Sequence, residues 1–132
     1  MALANQKQVE ALADNLTGCA DSIHDRLMKA IKNKEINQNT AQLIFQDEAS
    51  LRQRANGLYI DAANCVVKGL AGSQKNIIDL VDTAKEKIKK IKKIANFVDL
   101  IADLLMLAAA AYAAKPALIL AALKEVKEDV ER

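Results

Sequence analysis

Aromatic side chains are nearly missing from this chain: of 132 residues only 3% are Phe, Tyr or Trp, namely Phe45, Tyr59, Phe97 and Tyr112, with no tryptophan. Glycine and proline are as scarce, at four and one. A β-sandwich or barrel needs many turns built on those residues, so both are disfavoured and long helices are expected. The two cysteines, Cys19 and Cys65, are too few for a disulfide scaffold and lack metal-ligand spacing. Both fall on apolar helical stripes, and a hairpin turning near residue 38 leaves them roughly 13 Å apart at 1.5 Å per residue, beyond disulfide reach. They are expected to be free, buried thiols in a reducing compartment. Charge of one sign is also lacking, the formal net charge being +2, so nothing global draws the chain to nucleic acid.

What is present is aliphatic surface. Hydrophobic residues make up 52% of the sequence, supplied almost wholly by Ala, Leu, Ile and Val. Such a chain can offset its ordering entropy, which excludes disorder. Its length suits one domain over residues 1–132 that needs neither metal nor disulfide to fold. Charge is uneven along it: residues 73–93 carry seven lysines against three carboxylates, whereas residues 94–132 carry four basic and six acidic groups. Met1-Ala2-Leu3-Ala4-Asn5 offers no basic stretch ahead of an apolar run, so a cytoplasmic location is expected.

Apolar positions recur at helical spacing throughout. Val9, Leu12, Leu16, Cys19, Ile23, Leu27 and Ile31 define a helix over about 5–34. Asn5 is placed to cap it, with Gln8 three residues on. Asn37-Gln38-Asn39-Thr40 is a turn and cap signal, and a second helix follows over about 40–70, its seam broken only by Glu48. Ala71-Gly72-Ser73 reads as a stop and a new cap. The third helix carries the most regular pattern: Ile77, Val81, Ala84, Ile88, Ile91, Ala95, Val98, Ala102 and Leu105 alternate by four and three without interruption. A seam of this kind packs on a neighbour by knobs into holes. With so short a connection, the second and third helices are expected side by side and antiparallel, Ala62 near Val81 and Ala55 near Ile88. Gly18 and Gly57 come level in the first hairpin, where a close approach could use both.

The third helix meets no breaker before Pro116, a run of about 60 Å at standard rise. Pro116 ends or kinks it, and a fourth helix completes the chain. The expected fold is an all-α, antiparallel four-helix bundle, coiled-coil-like in its packing. Its helices lie near 5–34, 40–70, 74–114 and 116–132, the third over-long and the last Pro-kinked. Residues 104–123 are apolar on every side, and such a helix must be buried in protein or lipid.

Chemistry is harder to find. His24, the one histidine, has no partners completing a nucleophile or metal shell, and phosphate loops, Glu-x-x-His pairs and Cys-x-x-Cys are absent. No catalytic, cofactor or metal residue is assigned. Glu48 is either a side chain reaching the bundle edge or pairing with a basic neighbour, or a buried acid that fixes register or binds a cationic ligand. In the first, solvated case Glu48→Gln should leave stability unchanged. Lys85, Lys87, Lys89, Lys90, Lys92 and Lys93 form a basic helix face, solvated or facing anionic lipid, nucleic acid or an acidic partner. Without aromatics or Arg alongside, nucleic acid is the least favoured of these.

Residues 104–123 are long enough to span a bilayer. Seven Leu and Ile contribute about −2 to −4 kcal/mol, however, and Lys115 costs about +2.5 to +3.5, so insertion is near balance. Three readings follow. The first is a non-enzymatic interaction protein, needing no cofactor, that self-associates or binds a helical partner through its Ala/Leu-rich C-terminal third. Its candidate contacts are Phe97, Leu100, Leu104, Leu107, Ala111, Tyr112, Leu118 and Leu120. The second is a membrane-active helical protein that docks by its lysines on an anionic surface and inserts residues 97–123. The third is an apolar-ligand carrier with Glu48 or His24 in a cavity, and no convergent polar constellation supports it.

Overall fold

The structure, a computed structural model, describes Leu3, residues 5–67 and residues 77–132. The expected stop at Ala71-Gly72-Ser73, like the expected end of the second helix at residue 70 and the expected start of the third at 74, lies outside them. The described residues are all-helical: α1 Gln6–Lys32, α2 Gln38–Ile60, a 3-10 turn Ala62–Cys65, α3 Ile77–Lys90, α4 Ile94–Ala113 and α5 Pro116–Glu131, with no strand among them.

The caps follow the local sequence. The Asn5 side chain accepts from the Gln8 amide at 2.9 Å, and that of Asn37 accepts from Thr40 at 2.8 Å, each satisfying a donor that the first turn leaves free. α2 ends at Ile60, ten residues before the expected end. Asp61 closes it, the chain tightens into the 3-10 turn, and the Val67 amide then donates to the Leu3 carbonyl at 2.9 Å. At the other end, Ala114 takes a left-handed conformation (φ 53°) and Pro116 opens α5 at a position where its missing N–H costs nothing. Pro116 therefore begins a helix and does not kink one.

The expected over-long helix 74–114 is two helices, interrupted at Ile91–Lys93. The cause lies on α1. Arg26, only 5% exposed, donates from Nε to the Ile91 carbonyl at 2.9 Å and from Nη2 toward the Lys92 carbonyl at 3.5 Å. The same guanidinium grips both carboxylate oxygens of Glu35, at 2.9 and 3.2 Å, and lies 5.8 Å from the centre of the Phe97 ring. Carbonyls that a continuous helix would direct to its own amides are thus taken by a buried cation, and α4 restarts with the Phe97 amide bonded to Lys93.

Helix pairing also differs from the expected four-helix topology. α1 packs on both α2 and α3, α2 on α4, α4 on α5, and α5 back on α3. The α1–α3 contact is parallel: Asn15 donates to the Ile78 carbonyl at 2.9 Å, the Cys19 thiol to that of Val81 at 3.4 Å, and Arg26 to that of Ile91. Val81 therefore meets Cys19, and α3 has α1 and not α2 as its main partner, so the expected α2–α3 pairing of Ala62 with Val81 and Ala55 with Ile88 is not what packs α3. The glycines do not meet either. Gly18 lies under the aliphatic stem of Lys85 and Gly57 under the ring of Tyr112. A Cβ at Gly57 would sit 3.4 Å from that ring, so Gly57→Ala should gain up to about 1 kcal/mol of helix propensity, read as a higher thermal midpoint. A lower midpoint would show that Tyr112 cannot yield.

Candidate interaction surface

The break at Ile91–Lys93 divides the regular seam. Its first half, Ile77, Val81, Ala84, Ile88 and Ile91, is buried, most of it on the face of α3 that packs on α1. Its second half belongs to α4, and there Ala95, Val98 and Ala102 are exposed and Leu105 half-buried. Met106 (54% exposed) and Ala109 extend the same side. At 100° per residue these six positions form one strip roughly 20 Å long, with no charged residue in it. Asp99 borders the strip and is held by Arg132 at 2.9 Å. Beside Ala109 a groove of about 270 Å³ opens between α4 and α5, walled by Met106, Ala109, Ala110, Leu118, Ala121 and Ala122.

The inner side of α4 is filled by the protein itself. Phe97, Leu100, Leu104, Leu107 and Ala111, read from the sequence as contact candidates, are buried in the core. Tyr112 is half-exposed but turned onto α2, where its hydroxyl donates to Asp61 at 2.5 Å. Leu118 is 51% exposed at the groove wall, and Leu120 is half-buried against the core. Ala95, Val98, Ala102 and Leu105 were legible as a seam, but nothing in the sequence said that this half of it faces outward.

The lysines are divided between two elements. Lys85, Lys87, Lys89 and Lys90 lie on α3, and Lys92 and Lys93 in the turn after it. Lys85 pairs with Asp82 at 3.0 Å, Lys89 with Glu86 at 3.4 Å, and Lys87 donates to the main-chain oxygen of Arg132 at 2.5 Å. Lys90 and Lys92 line a cleft of about 270 Å³ with Arg26 and Lys29, and Glu35 places a carboxylate in the same cleft.

Three buried charge-bearing side chains, Glu48, Arg26 and Asp129, complete the chemistry. Glu48, its side chain 8% exposed, accepts from His24 Nδ1 and Arg52 Nε, both at 3.0 Å, while Arg52 also reaches Asp21 at 2.7 Å. This is a clamp between α1 and α2, with Phe45 edge-on to His24. Because the carboxylate is paired and not solvated, Glu48→Gln should cost about 1–3 kcal/mol near neutral pH; an unchanged urea midpoint would contradict the clamp. Arg26 and Asp129 escape a reading by hydrophobic stripe, although each sits in register: Arg26 is seven residues after Cys19, and Asp129 is three after Val126. Asp129 is 3% exposed, and its Oδ2 has no hydrogen-bond partner. Burial, together with Asp103 and Asp99 against the opposing pull of Arg132, pushes its carboxyl up to about 7. Burial likewise pushes the Cys19 thiol up to about 12 and raises that of Cys65, so neither is a nucleophile at neutral pH. Among the described residues no group of His, Cys, Asp and Glu is arranged to hold a metal ion.

Fold and surface together define a class of protein, an all-helical one that carries an exposed apolar helix strip. No protein-family model matches the chain, and no curated protein or solved structure matches it either.

Proposed function

We propose that this protein is a non-enzymatic helical interaction module that acts through the outer face of α4. One observation carries the reading: a coiled-coil seam, kept in register across the Ile91–Lys93 break, leaves the core at Ala95 and runs uncharged along the surface. A contiguous apolar patch of this kind, rimmed by polar residues, is what a docking face requires. Val98, Leu105 and Met106 supply most of the area to be desolvated, while Ala95, Ala102 and Ala109 let a second helix approach closely. Leu118 and the small residues of the groove widen the face on its α5 side.

Ala102→Glu tests this reading. It places a charge in the middle of the strip at an exposed position, so folded stability should change by less than about 0.5 kcal/mol. An environment-sensitive apolar dye should bind the unassociated wild-type face and lose most of that binding in the variant. Equal dye signals from both would contradict the reading.

The alternative is membrane action. By length and composition α4 could cross a bilayer. Its inner face is committed to α2 and α5, however, and three of the six lysines are committed within α3 or to Arg132, which leaves less of the basic face for lipid. Leakage of anionic liposomes would favour this alternative, and its absence at neutral and acidic pH would remove it.

A further inference from the structure

We propose that the occupant of the α4 strip is a second copy of this chain, packed antiparallel about a two-fold axis that passes between residues 103 and 104. The inference rests on the reading of α4 as a docking face and adds the identity and register of what docks. Beyond Leu105 the spacing by four and three continues to Ala109 and Tyr112. One ridge of the strip, with Met106 to the side of it, is therefore ordered small, large, small, large, small, large: Ala95, Val98, Ala102, Leu105, Ala109, Tyr112.

That order inverts onto itself. Reversed about the midpoint of 103 and 104, Ala102 falls opposite Leu105, Val98 opposite Ala109, and Ala95 opposite Tyr112, so every small residue receives a large one. A two-fold interface must use one surface patch twice, with residue i meeting j and j meeting i, and this strip meets that condition. A parallel pairing sets Ala on Ala and Leu105 on Leu105 and leaves gaps at every other level. A partner of different sequence would need no such inversion. The ends fit less tightly, because Tyr112 leans onto Gly57, so the contact centres on Val98, Ala102, Leu105 and Ala109. Val98 of the second copy would then lie against Ala109, beside the groove between α4 and α5. The absence of charge from the strip is also required, since a two-fold axis brings any charge close to its own copy. Asp99, at the border, is already held by Arg132.

The register is tested by oxidative crosslinking of the full chain with cysteine at exposed positions, the native Cys19 and Cys65 being buried. Val98→Cys alone should not crosslink, because two copies of residue 98 are about 16 Å apart in the antiparallel arrangement and a disulfide needs less than about 7 Å. The double variant Val98→Cys with Ala109→Cys should give a covalent dimer in high yield, lost under reduction and lost again when Ala102→Glu is added. Within one chain residues 98 and 109 are too far apart to join. Crosslinking by Val98→Cys alone would overturn the antiparallel register and leave the interaction reading standing. If neither variant crosslinks and the wild-type chain sediments as a monomer, the second copy is excluded. In that case dye binding abolished by Ala102→Glu still keeps α4 as a docking face for another partner, whereas dye binding unaffected by it removes both. A wild-type dimer that neither variant crosslinks would place self-association elsewhere.

Discussion

Arg26→Ala should lower the unfolding free energy by about 2–4 kcal/mol. The guanidinium satisfies the Ile91 carbonyl from inside the fold, and its removal leaves that acceptor buried while the stem vacates space beside Phe97. Glu35 is not stranded in the same way, since its side chain is 29% exposed, which holds the cost below that of splitting a fully buried pair. Arg26→Lys should fall between the two, because an ammonium keeps the charge but cannot span Glu35 and the two main-chain oxygens with one planar fork. Arg26 also draws the Glu35 carboxyl below the usual carboxylate range through its hydrogen bonds. That contribution is present above the ordinary range and lost as the pH falls through the lowered one, so the acid limb of the stability curve should flatten in the alanine variant. Urea unfolding with an unchanged slope is the measurement. A midpoint equal to wild type would mean that the break at Ile91–Lys93 does not depend on Arg26.

Asp129→Asn should act in the opposite direction and only at higher pH. In the fold the Asp129 carboxyl titrates at about 7, against about 3.9 in an unfolded chain. Between those values the folded state binds more protons than the unfolded one, so stability falls as the pH rises. The contribution is whole below about pH 4 and is lost as the pH passes through 7. At pH 8 the wild-type protein carries a buried carboxylate whose Oδ2 has no partner and whose neighbours across the contact with α4 are Asp103 and Asp99. Asparagine removes that charge at nearly constant volume, and the gain at pH 8 should be about 2–4 kcal/mol, since each tenfold difference in proton affinity between the folded and unfolded states is worth about 1.36 kcal/mol. At pH 4.5 the two proteins should differ by less than about 1 kcal/mol. Asp103→Asn should recover part of the same gain, because it removes a carboxylate that helps to raise the Asp129 carboxyl. Thermal midpoints from pH 4.5 to 8.5 decide the matter. Parallel curves for Asp129→Asn and wild type would show that the carboxyl reaches solvent.

The helices themselves were legible wherever the pattern was local. Asn5 and Asn37 announced the starts of α1 and α2, and Pro116 marked the start of α5. The division between α3 and α4 could not be read in the same way, because Ile91 to Lys93 contains no breaker and the apolar spacing passes through it unchanged. The reason for the break, a guanidinium on α1, lies sixty-five residues away along the chain. The parallel pairing of α1 with α3 was hidden for a related reason: the spacing identifies a face but not the helix it meets. This also explains why the sequence pointed to Phe97, Leu100 and Leu104 for outside contact. They are the bulkier half of an all-apolar helix, and the protein's own core claims them first. The smaller half, Ala95 to Ala109, is what remains outside.

Sedimentation equilibrium of the wild-type chain beside Ala102→Glu tests most directly whether that outer half of α4 is an association face. The wild-type mass should rise with concentration from 14.4 kDa toward twice that value, while the variant stays at the monomer mass with an unchanged circular dichroism spectrum. Identical concentration dependence in the two proteins, with both folded, would contradict it.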